Sequence, residues 1–200
     1  MSAGRASVTG RVARLAAASS LLLAPVILWA QQPPPATLAA CNACHGPGGN
    51  SQIAQTPSLA GQPKLFIENQ LVLIREGLRE VESMKEVMAG MTDETIVALA
   101  RHFAAQKPVV KTSPVNEEKA RLGAVTASKM LCGTCHLPDY AGQKQVPRLA
   151  GQDEAYLVQS MKQFRDNPGP GRDTIMAASL YGLSDADLAN LASFLATFKP

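Results

Sequence analysis

The sequence predicts an all-α fold made of two tandem halves, and three observations support this. Apolar residues near the end of each half recur with the spacing of one helix face. No stretch alternates apolar and polar residues as a half-buried strand does. A shift of about 91 residues (132 minus 41) brings the second half of the chain onto the first. The two matching helix faces are Ile96, Leu99, Ala100 and Phe103, and Leu188, Leu191, Ala192 and Leu195.

Residues 1–30 are predicted to form a secretory signal peptide, because three arginines precede an apolar run from Leu15 to Ala30. We predict cleavage after Ala30 and a periplasmic mature protein. The apolar run is interrupted by Pro25 and is shorter than the roughly 20 residues that span a bilayer. A retained membrane anchor is therefore the weaker interpretation.

The charge of the chain argues against two classes of partner. Its net charge is +3, from 19 basic and 16 acidic residues. The predicted signal peptide contains three of the basic residues and none of the acidic ones, which leaves 16 minus 16, a net charge of zero. A neutral mature chain is not expected to bind nucleic acid or an anionic membrane surface.

Two Cys-x-x-Cys-His motifs, Cys41 to His45 and Cys132 to His136, use all four cysteines and two of the three histidines. Thiols at this spacing reach the two vinyl groups of one porphyrin, and the adjacent histidine binds its iron, so the motif is the attachment signature of c-type haem. We therefore predict two covalently bound haem c groups. Their propionates would make the loaded protein mildly acidic.

Two other uses of paired cysteines fit less well. The cysteine pairs of a zinc ribbon lie close together, whereas Cys44 and Cys132 are far apart in the sequence. A redox-active dithiol is expected within a parallel-sheet pattern, and the sequence around these motifs is helical.

Each half is predicted to contain a short helix, the motif, a loop rich in Gly and Pro, a helix, a loop with methionine, and a last helix. The middle helices are predicted from Pro63 to Gly77 and from Glu154 to Asp166. The opening helix of the first half must be short, because residues 31–40 include three prolines. That of the second half can extend from about Asn116 to Leu131.

The last helix of each half has its own start signal. Thr92 and Ser184 are predicted N-caps, and Ser184 with Asp187 matches a capping box. Halves of this size bury little apolar surface, so covalent haem is expected to complete each core. The predicted boundaries are 31–106 for the first domain, 107–116 for a proline-containing linker and 117–200 for the second domain.

The second axial ligand of each iron is predicted from the repeat. Met84 lies seven residues before Met91, and Met176 lies seven residues before Leu183. Both therefore lie in the loop that leads to the capped last helix. His102 is interpreted as a partly buried structural residue. Other methionines remain rivals that ordinary helix packing would explain: Met88 and Met91 in the first half, and Met130 and Met161 in the second.

The paired motifs, the twin Pro-x-Leu-Ala-Gly-Gln segments and the methionine seven residues before Met-Thr-Asp or Leu-Ser-Asp resemble the dihaem cytochrome c4 family. The resemblance implies two tandem class I cytochrome c domains, each wrapped around one covalently attached haem, with haem propionates facing each other between the domains. It also implies periplasmic electron transfer to terminal oxidases. Carried over residue by residue, it assigns haem attachment to Cys41, Cys44, Cys132 and Cys135, and iron ligation to His45, Met84, His136 and Met176.

Centres with His/Met ligation move electrons and leave no iron position for a substrate. We therefore expect no enzyme and no small-molecule substrate, but a carrier of single electrons from a quinol-oxidising complex towards a terminal oxidase. An alternative is the dihaem electron-transfer subunit of a periplasmic dehydrogenase complex. A third, less favoured interpretation is a dihaem enzyme such as a peroxidase or a thiosulfate-oxidising cytochrome. Basic residues near the methionine loops, among them Arg75 and Arg165, are either solvated helix faces or a ring for docking.

Overall fold

The computed structural model describes residues 32–110 and 116–199, together with the isolated positions Met1 and Gly4. The predicted signal peptide, apart from those two positions, and residues 111–115 of the predicted linker lie outside the described residues. The described residues from 32 onwards belong to one compact unit. Among the described residues, no helix has the length and apolar character needed to cross a membrane.

The described residues are mostly helical, as predicted. They contain no β-strand, only an isolated bridge between Gln143 and Val146. Two short 3₁₀ turns, Pro47–Gly49 and Glu82–Met84, accompany the helices. In chain order the α-helices are α1 (Pro35–His45), α2 (Lys64–Arg75), α3 (Lys85–Met88), α4 (Asp93–Ala104), α5 (Glu117–Lys129), α6 (Cys132–His136), α7 (Glu154–Asp166), α8 (Thr174–Leu180) and α9 (Asp185–Thr197).

The two motifs are held by different opening helices. In the first half, α1 begins at Pro35, where proline's fixed φ suits a helix start, and it continues through the motif to His45. In the second half, Asn116 caps α5 by accepting a hydrogen bond from the Lys119 N–H at 3.0 Å. Helix α5 ends at Lys129, and Leu131 adopts a left-handed φ of 56°. The second motif therefore forms a separate short helix.

The last helix of each half carries the predicted apolar face inward and the predicted cap. The Thr95 N–H donates to Thr92 Oγ1 at 3.3 Å. Ser184 and Asp187 form both bonds of the capping box, at 3.1 and 2.9 Å. Helix α5 packs against α9. The two helices approach closely because Gly123 has no side chain: a Cβ there would lie 2.0 Å from the carbonyl oxygen of Asn190.

The two halves have apolar cores of unequal size. The first core consists of Ile67, Leu99, Ala100 and Phe103. The second is built on α5, α7, α8 and α9, and its buried members are Ala127, Tyr140, Ala150, Leu157, Met161, Leu180, Leu188, Leu191, Ala192 and Leu195. Partly buried Cys41 and Cys132 pack against the first and second core, respectively. Each core thus lies directly beside a predicted haem-attachment motif.

Candidate functional site

No disulfide bond joins any of the four motif cysteines to another. Cys44 and Cys135 are exposed, whereas Cys41 and Cys132 are partly buried. Burial raises the pKa of the Cys41 and Cys132 thiols. A redox-active dithiol needs a lowered thiol pKa, so this environment speaks against that interpretation. It suits thiols that are consumed in thioether bonds.

Both motif histidines are buried and oriented by a proline carbonyl. His45 Nδ1 lies 2.8 Å from the carbonyl oxygen of Pro57, and His136 Nδ1 lies 2.9 Å from that of Pro147. Because a carbonyl only accepts, Nδ1 is the protonated nitrogen, which leaves the Nε2 lone pair to bind iron. Burial lowers the pKa of both imidazoles, which favours the neutral form that binds a metal.

The predicted methionine ligands lie in corresponding segments of the two halves. Met84 is partly buried at the end of the 3₁₀ turn, before α3. Met176 lies in the first turn of α8, where its backbone N–H donates to Asp173 Oδ1 at 2.8 Å. Its side chain packs against the second core. Each residue precedes the capped last helix of its half, as the repeat predicts, but Met176 lies in a helix and not in the expected loop, because Asp173 caps a short helix there.

The rival methionines have packing roles. Met88 is 2 % exposed, and Met161 belongs to the second core. Met91 packs against the first core, and Met130 is the C-cap of α5. His102 is partly buried, as predicted, and its ring meets that of Phe103 edge-on at 5.2 Å.

Two arginines brace the segments that follow the predicted methionine ligands. Arg75, at the end of α2, donates to the carbonyl of Met91 at 2.9 Å and to Asp93 at 2.7 Å. Arg165 on α7 repeats this with the carbonyl of Leu183 and with Asp185, at 2.9 and 2.8 Å. These arginines are therefore engaged within their own halves, which favours a structural role for them over the docking ring. Arg75 lies 16 residues before Met91 and Arg165 lies 18 residues before Leu183, so no local pattern in the sequence reveals these bonds.

The repeated Leu-Ala-Gly-Gln segments join the two halves. Gln62 donates through Nε2 to the carbonyl of Arg148 and accepts from its N–H through Oε1, both at 2.9 Å. In return, Gln152 donates to the carbonyl of Ser58 at 2.9 Å and accepts from its N–H at 2.7 Å. All four bonds are buried. We call this pair of reciprocal contacts the crossed glutamine clasp.

The clasp links each half to the histidine of the other. Ser58 and Arg148 directly follow Pro57 and Pro147, whose carbonyls hold His45 and His136. Each glutamine thus fixes the backbone next to the carbonyl that orients the opposite histidine. The sequence shows the repeat of the glutamine, but the contact lies between distant residues and no local pattern predicts it.

These residues fit haem better than a bare metal ion. Within the part of the chain that the structure describes, no group of three or more His, Cys, Asp or Glu side chains could hold a metal ion, which disfavours a zinc site. Haem brings its own four nitrogen ligands and needs only thiols for attachment and an axial donor. Each motif presents both.

Comparison with known proteins points the same way. Residues 120–199 match the family Cytochrome c, and residues 36–102 match the family described as cytochrome C oxidase, cbb3-type, subunit III. The chain is 31% identical to cytochrome c4 of Pseudomonas aeruginosa, over 80% of this chain and 84% of that protein. It is 30% identical to a thiosulfate dehydrogenase electron acceptor of Thiomonas intermedia, over 93% of this chain and 90% of that protein.

Solved structures share the fold. Reduced recombinant cytochrome c4 from Pseudomonas stutzeri matches with a TM-score of 0.77 and 28% identity, over 86% of this chain and 98% of that one. A thiosulfate dehydrogenase (TsdBA) from Marichromatium purpuratum matches with a TM-score of 0.67 and 26% identity, over 78% of this chain and 36% of that one.

The architecture is thus all-α, with two cytochrome c domains in tandem. The two Cys-x-x-Cys-His motifs within these domains mean that the protein carries two covalent haem c groups, one at Cys41 and Cys44 and one at Cys132 and Cys135. Its relatives are electron-transfer cytochromes, which is also the function of this protein. On this similarity of sequence and fold, the chain belongs to the dihaem cytochrome c4 family.

Proposed function

We propose that this cytochrome carries single electrons in the periplasm from a quinol-oxidising complex towards a terminal oxidase. The observation that supports this most is the equivalence of the two centres: each has a buried histidine held by a proline carbonyl and a methionine before the last helix. Equivalent centres suit passage of electrons from one haem to the other. They do not single out one haem for substrate chemistry.

The proposed site follows the sequence prediction. Cys41, Cys44, Cys132 and Cys135 form the thioether bonds, His45 and His136 are the proximal ligands, and Met84 and Met176 are the distal ligands. The proposed domains are 31–106 and 117–200, joined by a linker over 107–116 and preceded by a signal peptide over 1–30. The signal peptide directs export, and its cleavage releases the mature protein in the periplasm. Haem attachment and contact with redox partners take place there.

The ligand set decides what the centres do. When bound, haem supplies a one-electron ferric/ferrous couple, and a methionine thioether as the sixth ligand raises its reduction potential. The proline carbonyls keep the imidazoles fixed, so little rearrangement accompanies a change of iron charge. With both axial positions filled by the protein, no substrate reaches the iron, and we propose no catalytic activity.

Stopped-flow kinetics with membranes that contain a quinol-oxidising complex and a terminal oxidase test the route. We expect quinol-dependent reduction of both haems and oxygen-dependent reoxidation. Each step should be faster than the overall transfer of electrons from quinol to oxygen in the same membranes. The proposed route would be overturned if the membranes oxidised quinol at the same rate with and without the cytochrome.

A second candidate is the dihaem electron-transfer subunit of a periplasmic dehydrogenase complex. The similarity to a thiosulfate dehydrogenase electron acceptor over 93% of this chain supports it, as does the fold shared with TsdBA. Gentle purification of the native protein separates the candidates. Stable co-elution with a dehydrogenase favours the subunit, whereas elution as the cytochrome alone favours the freestanding carrier.

A further inference from the structure

Arg148 is a buried cation without a carboxylate partner among the described residues. The residue is 5 % exposed. Its guanidinium donates to the carbonyl of Ala150 and, at 3.3 Å, to that of Ala60. Its Nε is buried and has no hydrogen-bond partner in the described part of the chain. Two neutral carbonyls therefore receive a full positive charge.

Such an arrangement is costly by itself. A buried charge needs a partner of opposite sign and hydrogen bonds to its remaining donors, or its desolvation is uncompensated. Burial lowers the pKa of Arg148, but a guanidinium stays protonated at any physiological pH. Arg148 therefore cannot become neutral by losing a proton. Its burial as a cation is explained if an anion binds beside it.

The position of Arg148 indicates where that anion comes from. The residue directly follows Pro147, whose carbonyl orients His136. Gln62 of the other half holds its backbone N–H and carbonyl in the crossed glutamine clasp. Its guanidinium reaches Ala60 of the first half and Ala150 of the second. The cation is thus fixed where the two halves meet, beside the proximal side of a haem centre.

We propose that Arg148 binds a haem propionate carboxylate through its unpartnered guanidinium edge. Thioether formation consumes the vinyl groups of haem and leaves both propionates, so the attached cofactors bring carboxylates, and none of the described residues pairs a carboxylate with Arg148. A planar guanidinium suits a carboxylate, which it can hold with two parallel hydrogen bonds. This inference is independent of which proteins donate and accept the electrons.

The pairing would make the two halves electrostatically unequal. By the repeat, Arg148 corresponds to Ser58, which carries no charge. A cation beside a haem disfavours the extra positive charge of ferric iron and thereby raises the reduction potential. Arg148 would therefore raise the potential of the haem whose propionate it binds, and the repeat supplies no second cation at this position.

Redox titration of the two-haem protein with Arg148→Gln and Arg148→Lys tests the proposal. For Arg148→Gln we expect the ratio of reduced to oxidised haem at a fixed potential to fall about tenfold for one haem. This corresponds to a fall of about 59 mV in its reduction potential, for a one-electron couple. Arg148→Lys keeps the charge but not the planar fork, so a smaller fall is expected. Arg121→Gln, which removes an exposed arginine paired with Glu118, is the matched control and should leave both potentials unchanged.

The pH dependence separates charge pairing from packing. Without the cation, the pKa of a buried propionate rises. Ferric iron disfavours the protonated propionate, so the potential of the affected haem should fall as the pH rises through that pKa. The wild-type potential should be flat over the same range.

Two results would overturn the proposal. One is unchanged potentials in Arg148→Gln with both haems attached. The other is an equal shift without pH dependence in Arg148→Gln and Arg148→Lys, because this indicates lost packing rather than a lost charge. Should Arg148→Gln fail to accumulate, Arg148→Lys decides alone: a lowered potential of one haem supports the pairing, and unchanged potentials of both haems contradict it.

Discussion

At the scale of single residues, the proximal side of each centre could be predicted more fully than the distal side. The motif fixes the cysteines and histidines by spacing, and in the structure Pro57 and Pro147, which correspond in the repeat, accept from His45 and His136. The spacing of the methionines left rivals, because the sequence alone does not show which methionines are held by packing among the helices. Met88, at 2 % exposure, shows this.

Replacing Met84 by Ala tests the distal assignment in the first half. We expect Met84→Ala to open the iron, so that carbon monoxide binds to one of the two reduced haems. Met88→Ala is the matched control, since it removes a buried side chain and should cost about 2–5 kcal/mol of stability without opening the iron. Optical spectra with carbon monoxide and thermal melts measure the two effects. Carbon monoxide binding in Met88→Ala but not in Met84→Ala would show that the ligand is misassigned.

At the scale of elements, the helices with local start and stop signals were predicted well. Helix α7 occupies Glu154–Asp166 as predicted, and Thr92 and Ser184 are the N-caps of α4 and α9. The predicted helix from Asn116 to Leu131 is wrong at its end, because Leu131 takes a left-handed conformation. Tertiary packing of the motif imposes that break, and leucine gives no local signal for it.

Because of the capping box of α9, the stability of the second domain should decrease at low pH. The hydrogen bonds from Ser184 lower the pKa of Asp187. A lowered carboxyl pKa in the folded state stabilises the protein above the unfolded pKa of about 3.9, and this contribution disappears as the pH falls through the folded value.

Ser184→Ala should therefore lower the free energy of unfolding by about 1 kcal/mol at neutral pH. It should also reduce the slope with which that free energy falls at acid pH, which we call the acid limb. Thermal melts between acid and neutral pH measure both effects. Ser128→Ala, at an exposed position of α5, is the control and should leave the acid limb as it is. An acid limb that keeps its full slope in Ser184→Ala would contradict this role of the cap.

At the scale of the whole molecule, the repeat predicted two similar domains but not how they are joined. The crossed glutamine clasp connects residues that are distant in the chain, so only the folded structure reveals it.

Breaking one arm of the clasp should disturb the opposite domain. Gln62→Leu strands the backbone N–H and carbonyl of Arg148, at about 1–3 kcal/mol for each buried group. We expect lower stability and a changed potential for the haem of His136, whereas Gln152→Leu should act on that of His45. Gln159→Leu, at an exposed position of α7, serves as the control. If each variant altered the haem of its own half, the crossed coupling would be refuted.

The unequal cores predict an unequal dependence on haem. Among the described residues, the first core has four buried members and the second has ten. Loss of attachment at Cys44 should therefore remove more cooperative helical structure from the first domain than loss at Cys135 removes from the second. Helical circular dichroism melts of Cys44→Ala and Cys135→Ala measure this. Two native-like melts would mean that neither core relies on its haem.

The most direct test of the central claim, two closed His/Met haem centres that move electrons, is the optical spectrum of the purified protein. Spectra are recorded oxidised, reduced, and reduced with carbon monoxide. We predict a ferric methionine-to-iron charge-transfer band with the intensity of two haems and no response to carbon monoxide. A carbon monoxide shift in half of the haem would contradict the claim, because it would mean that either Met84 or Met176 does not bind iron and that one centre is open to substrate.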